Sequence, residues 1–584
     1  MITEKITNAI QCHQNGELLK AQQLYKEILS IDPQNADCMH FLGVIAMQKG
    51  NLDQAIHLIQ RAIELRPDIS GYHSNIAMAY KENDQFKESL EHYQHSISLS
   101  PENPILHFNL AALFHHYGQF DNARNAYVKS LTLKPDQPLV HHNLGNLLMK
   151  QGDVQGSLMA ASIAKKLAPE NSAIQSNYLF CLNYSIDHSP EMIINEHIKW
   201  GHFYSKVNDY PLIAEHHERI RIGYVSPDFR NHAVARFMKS ILTNHDSYQF
   251  DIYCYSNVKQ SDSVTNQLKL LDVSWRNIWD KNDDQAVQQI QSDNIHILVD
   301  LAGHSSNNRL TVFARQPAPI QITYLGYPNT TGLSQMHFRL VDQWSDPDIH
   351  QFSGSEDRLY LPNGFLCYTP DDNIPPITFK PSNKSITFGS FNNLPKVNMN
   401  VIQLWASVLQ AVPNSRILIK TKGFNDTSTQ DRYGEYFNKF GVKKDRITLM
   451  GTVPDETEHL KIYNHVDIAL DTFPYNGTTT TCEALFMGVP VITLAGVHHA
   501  ARVGLSILSQ TGFSKWVAYN QEQYIQKAAY LADHPEEIFS IRKTLRSRLF
   551  QSDLCQGKKF VRSLESVYRS CFLKKLKPNS LGIS

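Results

Sequence analysis

Residues 466–488 read VDIALDTFPYNGTTTTCEALFMG, and this stretch decides the fold of the second half of the chain. A short β-rich run comes first, a proline and an Asn-Gly pair follow, and four threonines lead into an apolar segment. This order predicts a strand that ends at Thr472, a turn, and a short helix that begins at Thr479 and ends at Gly488. A strand followed directly by a helix is the unit from which parallel α/β sheets are built.

The same pattern recurs in two series of β-rich runs separated by helical spacers. The first series is RIRIGYVSPDF, FDIYCYSN and IHILVDLAGH, and the second is SITFGSFNNLPK, SRILIKTKG, RITLMG, VDIALDTFPY and VPVITLAG. A proline-rich linker at 368–385 separates them. We therefore predict two α/β lobes, at 216–380 and 381–575, and a tail at 576–584. Ligands of such sheets bind beyond the carboxyl ends of the strands.

The four threonines have two interpretations. A helix N-terminus exposes backbone N–H groups that bind anions, and threonine hydroxyls add donors, so a diphosphate fits here. Glu483, about one turn into the helix, would then accept hydrogen bonds from ribose hydroxyls. The alternative is a helix that a threonine merely caps. A cap needs one hydroxyl, and four in a row exceed that need, which favours the phosphate site.

Further side chains at strand ends and helix starts also have two interpretations each. Lys396 would neutralise a phosphate or a departing diphosphate, or it is a solvated surface lysine. His459 would stack on a base, or it is structural. His232 is a candidate general base, because histidine titrates near neutrality, or it only caps a helix. In GYPNTTG, Gly326 and Thr330 would line the cleft between the two sheets, or the stretch is a plain turn.

The N-terminal third is a repeat array. Proline recurs every 34 residues, the period of the tetratricopeptide repeat, and small residues that let two helices pack closely recur in the same way. The prolines are Pro33, Pro67, Pro101, Pro135 and Pro169. We predict about five repeats in residues 1–171, stacked into a superhelix with a concave surface, and capping and linker helices at 172–215.

An asparagine that recurs with the same period predicts a peptide-binding ladder on one face. The series is Asn75, Asn109, Asn143 and Asn177. Asparagine is a poor helix residue, and its amide carries donors and an acceptor that suit the backbone of an extended peptide. The alternative is that each asparagine ties a loop within its own repeat. We favour the ladder, which predicts a protein or peptide partner; a homodimer through the repeats is a second partner to consider.

Composition and charge argue against several classes of function. The 55 basic and 56 acidic residues give a net charge of −1, which disfavours a broad nucleic-acid-binding surface. Eight scattered cysteines without a CxxC pair disfavour a disulfide framework or zinc ribbon and fit a reducing compartment. The sequence shows no signal-peptide core and no apolar run of membrane-spanning length. We expect a cytoplasmic protein without membrane contact; delivery to a host cell by a secretion machine would leave no such trace.

Taken together, the motifs resemble the SPINDLY and O-GlcNAc transferase family of inverting glycosyltransferases, which modify Ser and Thr of proteins. The matching motifs, in order over nearly the whole chain, are GYVSPDFRNHAVARF, ILVDLAGH, QPAPIQITYLGYPNTTG, FGSFNNLPK, DTFPYNGTTTTCEALFMGVPVITLAG and ARVG. The resemblance implies an α-helical tetratricopeptide-repeat superhelix followed by an α/β GT-B region of two Rossmann-like lobes. It also implies a nucleotide-sugar donor as co-substrate, no cofactor and no metal.

The resemblance also implies roles for individual residues. Lys396 would contact the diphosphate, and Thr479 and Thr480 would bind phosphate. The other nucleotide-sugar contacts would be Asn393 in place of a glutamine, His459 on the nucleobase, Thr478 in place of a histidine of the animal enzymes, and Glu483 in place of an aspartate on the ribose. The candidate bases, strongest first, are His232, His296 and His304.

The favoured reaction is transfer of GlcNAc from UDP-GlcNAc to Ser or Thr hydroxyls of proteins held by the repeat groove. An in-line displacement would invert the anomeric configuration. The motifs GYPNTTG, FLCYTP and YNGTTTTCE look more like the SPINDLY branch, which uses GDP-fucose, so protein O-fucosylation is an alternative. A peptide-binding scaffold that has lost catalysis is another.

Overall fold

The structure is a computed structural model, and it describes the chain in five ranges. These are residues 2–205, 218–348, 354–370, 374–378 and 385–576. The predicted linker from 206 onward, two parts of 368–385 and nearly all of the predicted tail lie outside them. The chain forms two compact units, residues 1–147 and 148–584. Their boundary falls inside the fifth predicted repeat and not after it.

The first unit consists of helix pairs, as the 34-residue period predicts. Small side chains lie at the packing positions: Ala55, Ser89 and Ala123 are completely buried. The helices are α1 Ile2–Gln14, α2 Leu18–Ile31, α3 Ala36–Gln48, α4 Leu52–Leu65, α5 Ser70–Glu82, α6 Phe86–Leu99, α7 Pro104–His116 and α8 Phe120–Leu133, and α9 Pro138–Lys150 spans the boundary.

A residue in the left-handed backbone region recurs in the turn within each pair, a series that we did not predict. Gly16, Gly50 and Gly118 have φ values of +78°, +80° and +75°. Asp84, with φ +56°, occupies the same register. Glycine adopts this conformation without steric cost, and aspartate tolerates it better than most residues. These positions are therefore a second sequence signal of the 34-residue period.

The second unit contains three helices followed by two parallel sheets. The helices are α10 Val154–Leu167, α11 Ser172–Leu182 and α12 Pro190–Tyr204. The first lobe has β1 Ile220–Ser226, β2 Phe250–Ser256, β3 Ser274–Asn277, β4 Ile297–Asp300, β5 Ile320–Thr323, β6 Phe338–Val341 and β7 Asp357–Tyr360, in the spatial order β3-β2-β1-β4-β5-β6-β7. The second lobe has β8 Thr387–Ser390, β9 Arg416–Lys420, β10 Ile447–Met450, β11 Ile468–Leu470, β12 Val491–Leu494 and β13 Val517–Ala518, in the order β10-β9-β8-β11-β12-β13.

Helices cover these sheets, as expected for alternating strands and helices. They are α13 Ala233–Asn244, α14 Ser263–Lys269, α15 Asp283–Ser292, α16 Leu310–Phe313, α17 Met399–Ala411, α18 Thr427–Lys439, α19 Glu456–Ile462, α20 Thr479–Phe486, α21 Val503–Gln510, α22 Gln521–Ala532, α23 Pro535–Gln551 and α24 Gly557–Leu576. In the described part of the chain, none of the helices has the length and apolar character needed to cross a membrane. The two predicted α/β lobes are therefore present, although β11 ends at Leu470 and not at Thr472.

The last helix, α24, packs on the first lobe and not on the second, to which we assigned it. The hydroxyl of Tyr568 lies 3.4 Å from that of Tyr224 in β1. The carboxylate of Glu565 accepts a hydrogen bond from His245, directly after α13, at 3.1 Å. The predicted boundary of the second lobe at residue 575 is therefore wrong for this helix, because its buried partners belong to the first sheet.

Helix α12 contacts the loop 326–333 of the first lobe backbone to backbone. A Cβ atom added at Gly201 would lie 1.7 Å from the carbonyl oxygen of Gly332. A Cβ atom at Gly332, whose φ is +77°, would lie 1.9 Å from the carbonyl oxygen of His197. Only glycine allows this approach, so the contact fixes the position of a loop at the carboxyl edge of the first sheet.

We expect Gly201→Ala to lower the free energy of unfolding by about 1–3 kcal/mol, because the methyl group forces the helix and the loop apart. Chemical denaturation followed by circular dichroism measures this. Gly434→Ala is the matched control, since Gly434 lies within α18 and a Cβ there meets nothing within 4 Å. Alanine should stabilise that helix by up to about 1 kcal/mol. Equal effects of the two substitutions would contradict the close packing of α12.

Candidate active site

Helix α20 begins at the carboxyl edge of the second sheet, where the four threonines lie. Thr478 precedes its first turn, and its side chain makes no capping hydrogen bond. The hydroxyl of Thr480 donates to Asn392 at 3.1 Å, and that of Thr481 donates to the carbonyl of Gly477 at 3.2 Å. The first N–H groups of a helix have no partner within the helix. The simple capping interpretation is therefore wrong, and the N-terminus keeps the character of an anion site.

The turn before this helix is held by Asp471, a residue that we did not single out. Its carboxylate accepts hydrogen bonds from the N–H of Gly477 and from the hydroxyl of Thr493, both at 2.7 Å. The side chain is buried, and this burial raises the pKa of Asp471 to about 6. Asn476 is completely buried in the same turn and donates to the carbonyl of Thr472 at 2.7 Å. The conformation that presents α20 is thus set by buried polar contacts.

Lys396 meets this turn from the loop after β8. Its ammonium donates to the carbonyl of Asn476 at 2.7 Å and lies 4.0 Å from the ring centroid of Tyr475. Burial lowers the pKa of Lys396 to about 8, while the charge of Asp471 opposes that shift. The alternative of a solvated surface lysine is therefore wrong. A cation lies beside the anion-binding end of α20, as a diphosphate site requires.

Glu483 is buried inside α20 and already has hydrogen-bond partners within the protein. It accepts hydrogen bonds from Nε2 of His459 and from Nη1 of Arg236, each at 3.1 Å. The ammonium of Lys420 donates to Nδ1 of His459 at 2.7 Å, which leaves Nε2 of that ring to carry the proton. The ring of His459 also packs against Phe391 at 5.7 Å between centroids. Two predicted site residues, His459 and Glu483, thus meet here. Arg236, Lys420 and Phe391 join them, and we did not predict these three.

His232 caps helix α13, so the structure bears out the capping interpretation. Its Nδ1 accepts the N–H of Val234 at 3.3 Å and lies 3.6 Å from the carboxylate of Asp228. Burial lowers the pKa of His232, and Asp228 opposes this effect. Since Nδ1 accepts the cap, the neutral ring carries its proton on Nε2, as in His459, and only Nδ1 can take a further proton once the cap is released. In the capping conformation the ring therefore cannot act as a base, and that role stays a prediction.

The two weaker base candidates are structural, and their assignment as bases is wrong. His296 precedes β4 at the amino edge of the sheet, where its Nδ1 accepts the N–H of Arg221 at 2.9 Å. His304 is buried, and its Nε2 donates to the carbonyl of Thr331 at 2.9 Å while its Nδ1 pairs with Ser176 at 3.0 Å. Burial holds the pKa of His304 well below its ordinary value. Neither ring is available at the cleft.

Packing explains most of the sequence of the loop 326–332. A Cβ atom at Gly326 would lie 1.8 Å from the carbonyl oxygen of Leu301. Thr330 is buried, and its hydroxyl donates to Glu356 at 2.6 Å. Neither feature shows a nucleotide-sugar contact, which stays a prediction for both residues. The same holds for Asn393, which is exposed directly before the short helical turn Leu394–Lys396.

The asparagine series lies on the first helix of successive pairs. Nδ2 of Asn75 pairs with His40 at 2.8 Å, and Nδ2 of Asn109 pairs with Ser74 at 3.2 Å. Both partners belong to the preceding pair, so these amides do not tie loops within their own repeats. Asn177, in α11, has a buried Nδ2 without a partner among the described residues. Peptide binding by the series stays a prediction.

A helical repeat array followed by two parallel-sheet lobes, with a helix N-terminus and a lysine together at one sheet edge, is the arrangement of repeat-bearing glycosyltransferases. A family model described as glycosyl transferase family 41 matches residues 202–380 and 376–564. Tetratricopeptide models match residues 13–78, 71–103 and 114–152. The chain belongs to glycosyltransferase family 41, the group of SPINDLY and O-GlcNAc transferase proteins.

Curated relatives and a solved structure agree with this assignment. The chain is 37% identical over 423 residues to a probable UDP-N-acetylglucosamine–peptide N-acetylglucosaminyltransferase SPINDLY from Solanum lycopersicum, covering 69% of this chain and 45% of the relative. The Petunia hybrida protein of the same name is 37% identical over 415 residues, covering 69% and 44%. The chain thus spans about half the length of these relatives.

The solved structure is a mutant of the Thermobaculum terrenum O-GlcNAc transferase, with a TM-score of 0.71 and 29% sequence identity. The match covers 98% of both chains. It confirms the predicted order of a repeat superhelix followed by two GT-B lobes.

Lys396→Met should raise the free energy of unfolding at pH 7 by about 1–3 kcal/mol, because folding there forces a charged lysine into a site that lowers its pKa. The wild type should gain stability as pH rises from about 8 to 10.5, since the unfolded chain binds more protons in that window. Denaturant titrations at several pH values measure both effects. The exposed Lys443→Met is the control. A lower free energy of unfolding for Lys396→Met than for the wild type at pH 7 would contradict the lowered pKa of this lysine.

Proposed function

We propose that the protein transfers GlcNAc from UDP-GlcNAc to Ser or Thr hydroxyls of protein acceptors, with inversion of configuration. One observation carries the proposal: the ammonium of Lys396 donates to the carbonyl of Asn476, three residues before the N-terminus of α20 at Thr479. The names of the plant relatives and of the Thermobaculum terrenum enzyme support GlcNAc as the sugar. The proposal includes no metal.

The diphosphate of the donor would lie between Lys396 and the first turn of α20. The N–H groups there, with the hydroxyls of Thr479 and Thr480, would donate to its oxygens. Negative charge develops on this group as the sugar leaves, and fixed donors that need no rearrangement stabilise it. Burial lowers the pKa of Lys396 to about 8, and a bound dianion would raise that pKa again. Lys396 would thus be fully charged when the bond to the sugar breaks.

The nucleoside would lie along the buried polar cluster of the second lobe. Glu483 would accept the ribose hydroxyls, and the ring of His459 would stack on the base. Arg236 already pairs with Glu483 from the first lobe, so a bound ribose shares or replaces that contact. The nucleoside would thereby bring both lobes into contact with the same ligand.

The acceptor hydroxyl attacks the anomeric carbon from the face opposite the diphosphate. Its proton goes to a base, for which we propose His232. Nδ1 would take the proton after it releases the N–H of Val234, because Nε2 already carries the proton of the neutral ring. The carbon–oxygen bond to the diphosphate breaks as the new bond to the acceptor oxygen forms. The repeat array would hold the acceptor and supply proximity.

The donor assignment is tested by isothermal titration with UDP and GDP and by assays of slow donor hydrolysis. We expect UDP to bind more tightly than GDP, and Lys396→Ala to lower hydrolysis about 100-fold or more, because it removes a charge that stabilises the leaving group. Lys443→Ala, an exposed lysine of the same lobe, is the matched control.

The possible results separate three functions. A preference for GDP would replace UDP-GlcNAc by GDP-fucose and leave glycosyl transfer intact. Absence of any nucleotide binding would favour the scaffold without catalysis. If Lys396→Ala hydrolyses the donor at the wild-type rate, this lysine takes no part in the mechanism.

Acceptor binding is tested by replacing Asn75, Asn109 and Asn143 together with alanine. Protein glycosylation should fall about tenfold or more, whereas donor hydrolysis should stay unchanged, because the ladder binds the acceptor and not the donor. Mass spectrometry of modified protein and a hydrolysis assay measure the two rates. The matched control replaces the exposed asparagines Asn15, Asn83 and Asn122, which lie outside the series. Equal loss of both activities would show that the ladder is only structural.

A further inference from the structure

Two adjacent residues after α11 contact different lobes of the second unit. Asn183 and Tyr184 directly follow this helix, and both side chains are buried. Nδ2 of Asn183 donates to the hydroxyl of Tyr327 at 2.6 Å, and Nδ2 of Asn329 donates to Oδ1 of Asn183 at 2.8 Å. Asn183 thus fixes the end of α11 to the loop 326–332 of the first lobe.

Tyr184 contacts the second lobe. Its ring stacks on the ring of Tyr475, with 4.9 Å between the centroids and 29° between the planes. Tyr475 belongs to the turn that leads into α20, and its carbonyl accepts the hydroxyl of Thr472 at 2.7 Å. Aromatic pairs with this spacing attract each other beyond the area that they bury. The stack therefore joins the end of α11 to the turn of the candidate site.

Tyr475 also packs into a hydrophobic cluster formed by α9, α10, α11 and the residues directly after α11. The other members of this cluster are Met149, Val154, Leu158, Phe180, Cys181 and Tyr184. A side chain of the second lobe thus takes its packing from helices outside that lobe. A tyrosine ring turns about two side-chain bonds unless packing holds it, so these helices set the orientation of Tyr475.

The same ring is the aromatic partner of Lys396. The ammonium lies 4.0 Å from the ring centroid, which is within the range of cation–π attraction. Its hydrogen bond goes to the carbonyl of the next residue, Asn476. Both contacts of the lysine therefore come from neighbouring residues of one turn, and one of them depends on the orientation of the ring.

We propose that Tyr184 is a positioning residue for Lys396 in the transfer reaction proposed above, on which this role depends. Tyr184 holds the ring of Tyr475 against the ammonium and thereby fixes the charge that stabilises the leaving diphosphate. It acts only through these two residues and makes no contact with the donor. Helix α11 also carries Asn177, the last asparagine of the predicted acceptor ladder. Acceptor binding and placement of the lysine therefore share one structural element.

A double-mutant cycle separates positioning from plain packing in the core. Tyr184→Leu should lower kcat for hydrolysis of UDP-GlcNAc, or of GDP-fucose if the wild type prefers it, about tenfold, because the misplaced charge no longer matches the leaving group. The KM of the donor should rise less, since the charge is largest in the transition state. Tyr184→Phe keeps the stack and should behave as the wild type does.

The second arm of the cycle uses Lys396→Ala. In that background Tyr184→Leu should have no further effect on kcat, because the residue that it positions is absent. A tenfold loss in both backgrounds overturns the proposal, and so does an unchanged kcat in the single variant. Tyr204→Leu is the matched control: this half-buried ring of α12 packs on Trp200, with 4.8 Å between the centroids, and its loss should leave kcat unchanged.

Unfolding measurements at pH 7 test the same contact without a donor. Burial lowers the pKa of Lys396, so Lys396→Met should stabilise the wild type, as predicted above. Without Tyr184 the ring of Tyr475 loses its support and water reaches the ammonium, so the gain from Lys396→Met should be smaller in a Tyr184→Leu background. The carboxylate of Asp471, which opposes this pKa shift, is present in every variant, and both tyrosines are neutral at this pH because burial raises their pKa. Equal gains in the two backgrounds overturn the proposal.

These two experiments distinguish failure of the positioning role from failure of the proposed function. If the wild type hydrolyses neither nucleotide sugar, the proposed function is wrong, and the unfolding measurements decide whether Tyr184 holds Lys396 in place. If hydrolysis occurs and the effect of Tyr184→Leu persists without Lys396, the function stands and the positioning role is wrong. If Tyr184→Leu fails to fold, Tyr475→Leu replaces it in both experiments, with Tyr475→Phe as the variant that keeps the ring.

Discussion

The candidate site depends on one buried residue, Asp471. It accepts hydrogen bonds from the turn that leads into α20, and its backbone carbonyl accepts the hydroxyl of Tyr524 at 2.9 Å. Trp405 in turn donates to that hydroxyl at 3.3 Å. The end of β11 is therefore tied to α17 and α22 through completely buried side chains. A rigid support of this kind lets a helix N-terminus stay in position without a ligand.

The charged side chains of the candidate site already have partners within the protein. Arg236 and His459 pair with Glu483, Lys420 pairs with His459, and Lys396 rests on a carbonyl and an aromatic ring. Burial lowers the pKa of both Lys396 and Lys420, so both lysines are held with less solvation than they prefer. An anionic ligand is the group that would satisfy them. The site is thus preorganised for negative charge at a cost to stability.

Periodic signals in the sequence are sufficient to predict the repeat array and the longer buried strands. They failed for short strands with little apolar pattern, such as Ser274–Asn277 and Asp357–Tyr360. Spacing identified Lys396 and the start of α20, because strand ends and glycine turns mark both. It could not identify Arg236, which lies 247 positions from Glu483 and meets it only after folding. His304 shows the opposite case: the family resemblance made it a candidate base, whereas its contact with Ser176 on α11 forms only after folding and cannot be read from the sequence.

The return of α24 to the first lobe means that the chain passes between the two lobes twice. The first lobe is not one continuous segment, because it consists of residues before the proline-rich stretch together with the helix from Gly557 onward. A fragment cut at the proline-rich stretch would lack the helix whose Tyr568 and Glu565 are buried against β1 and α13. The first lobe therefore reaches its final packing only after Gly557–Leu576 has been synthesised.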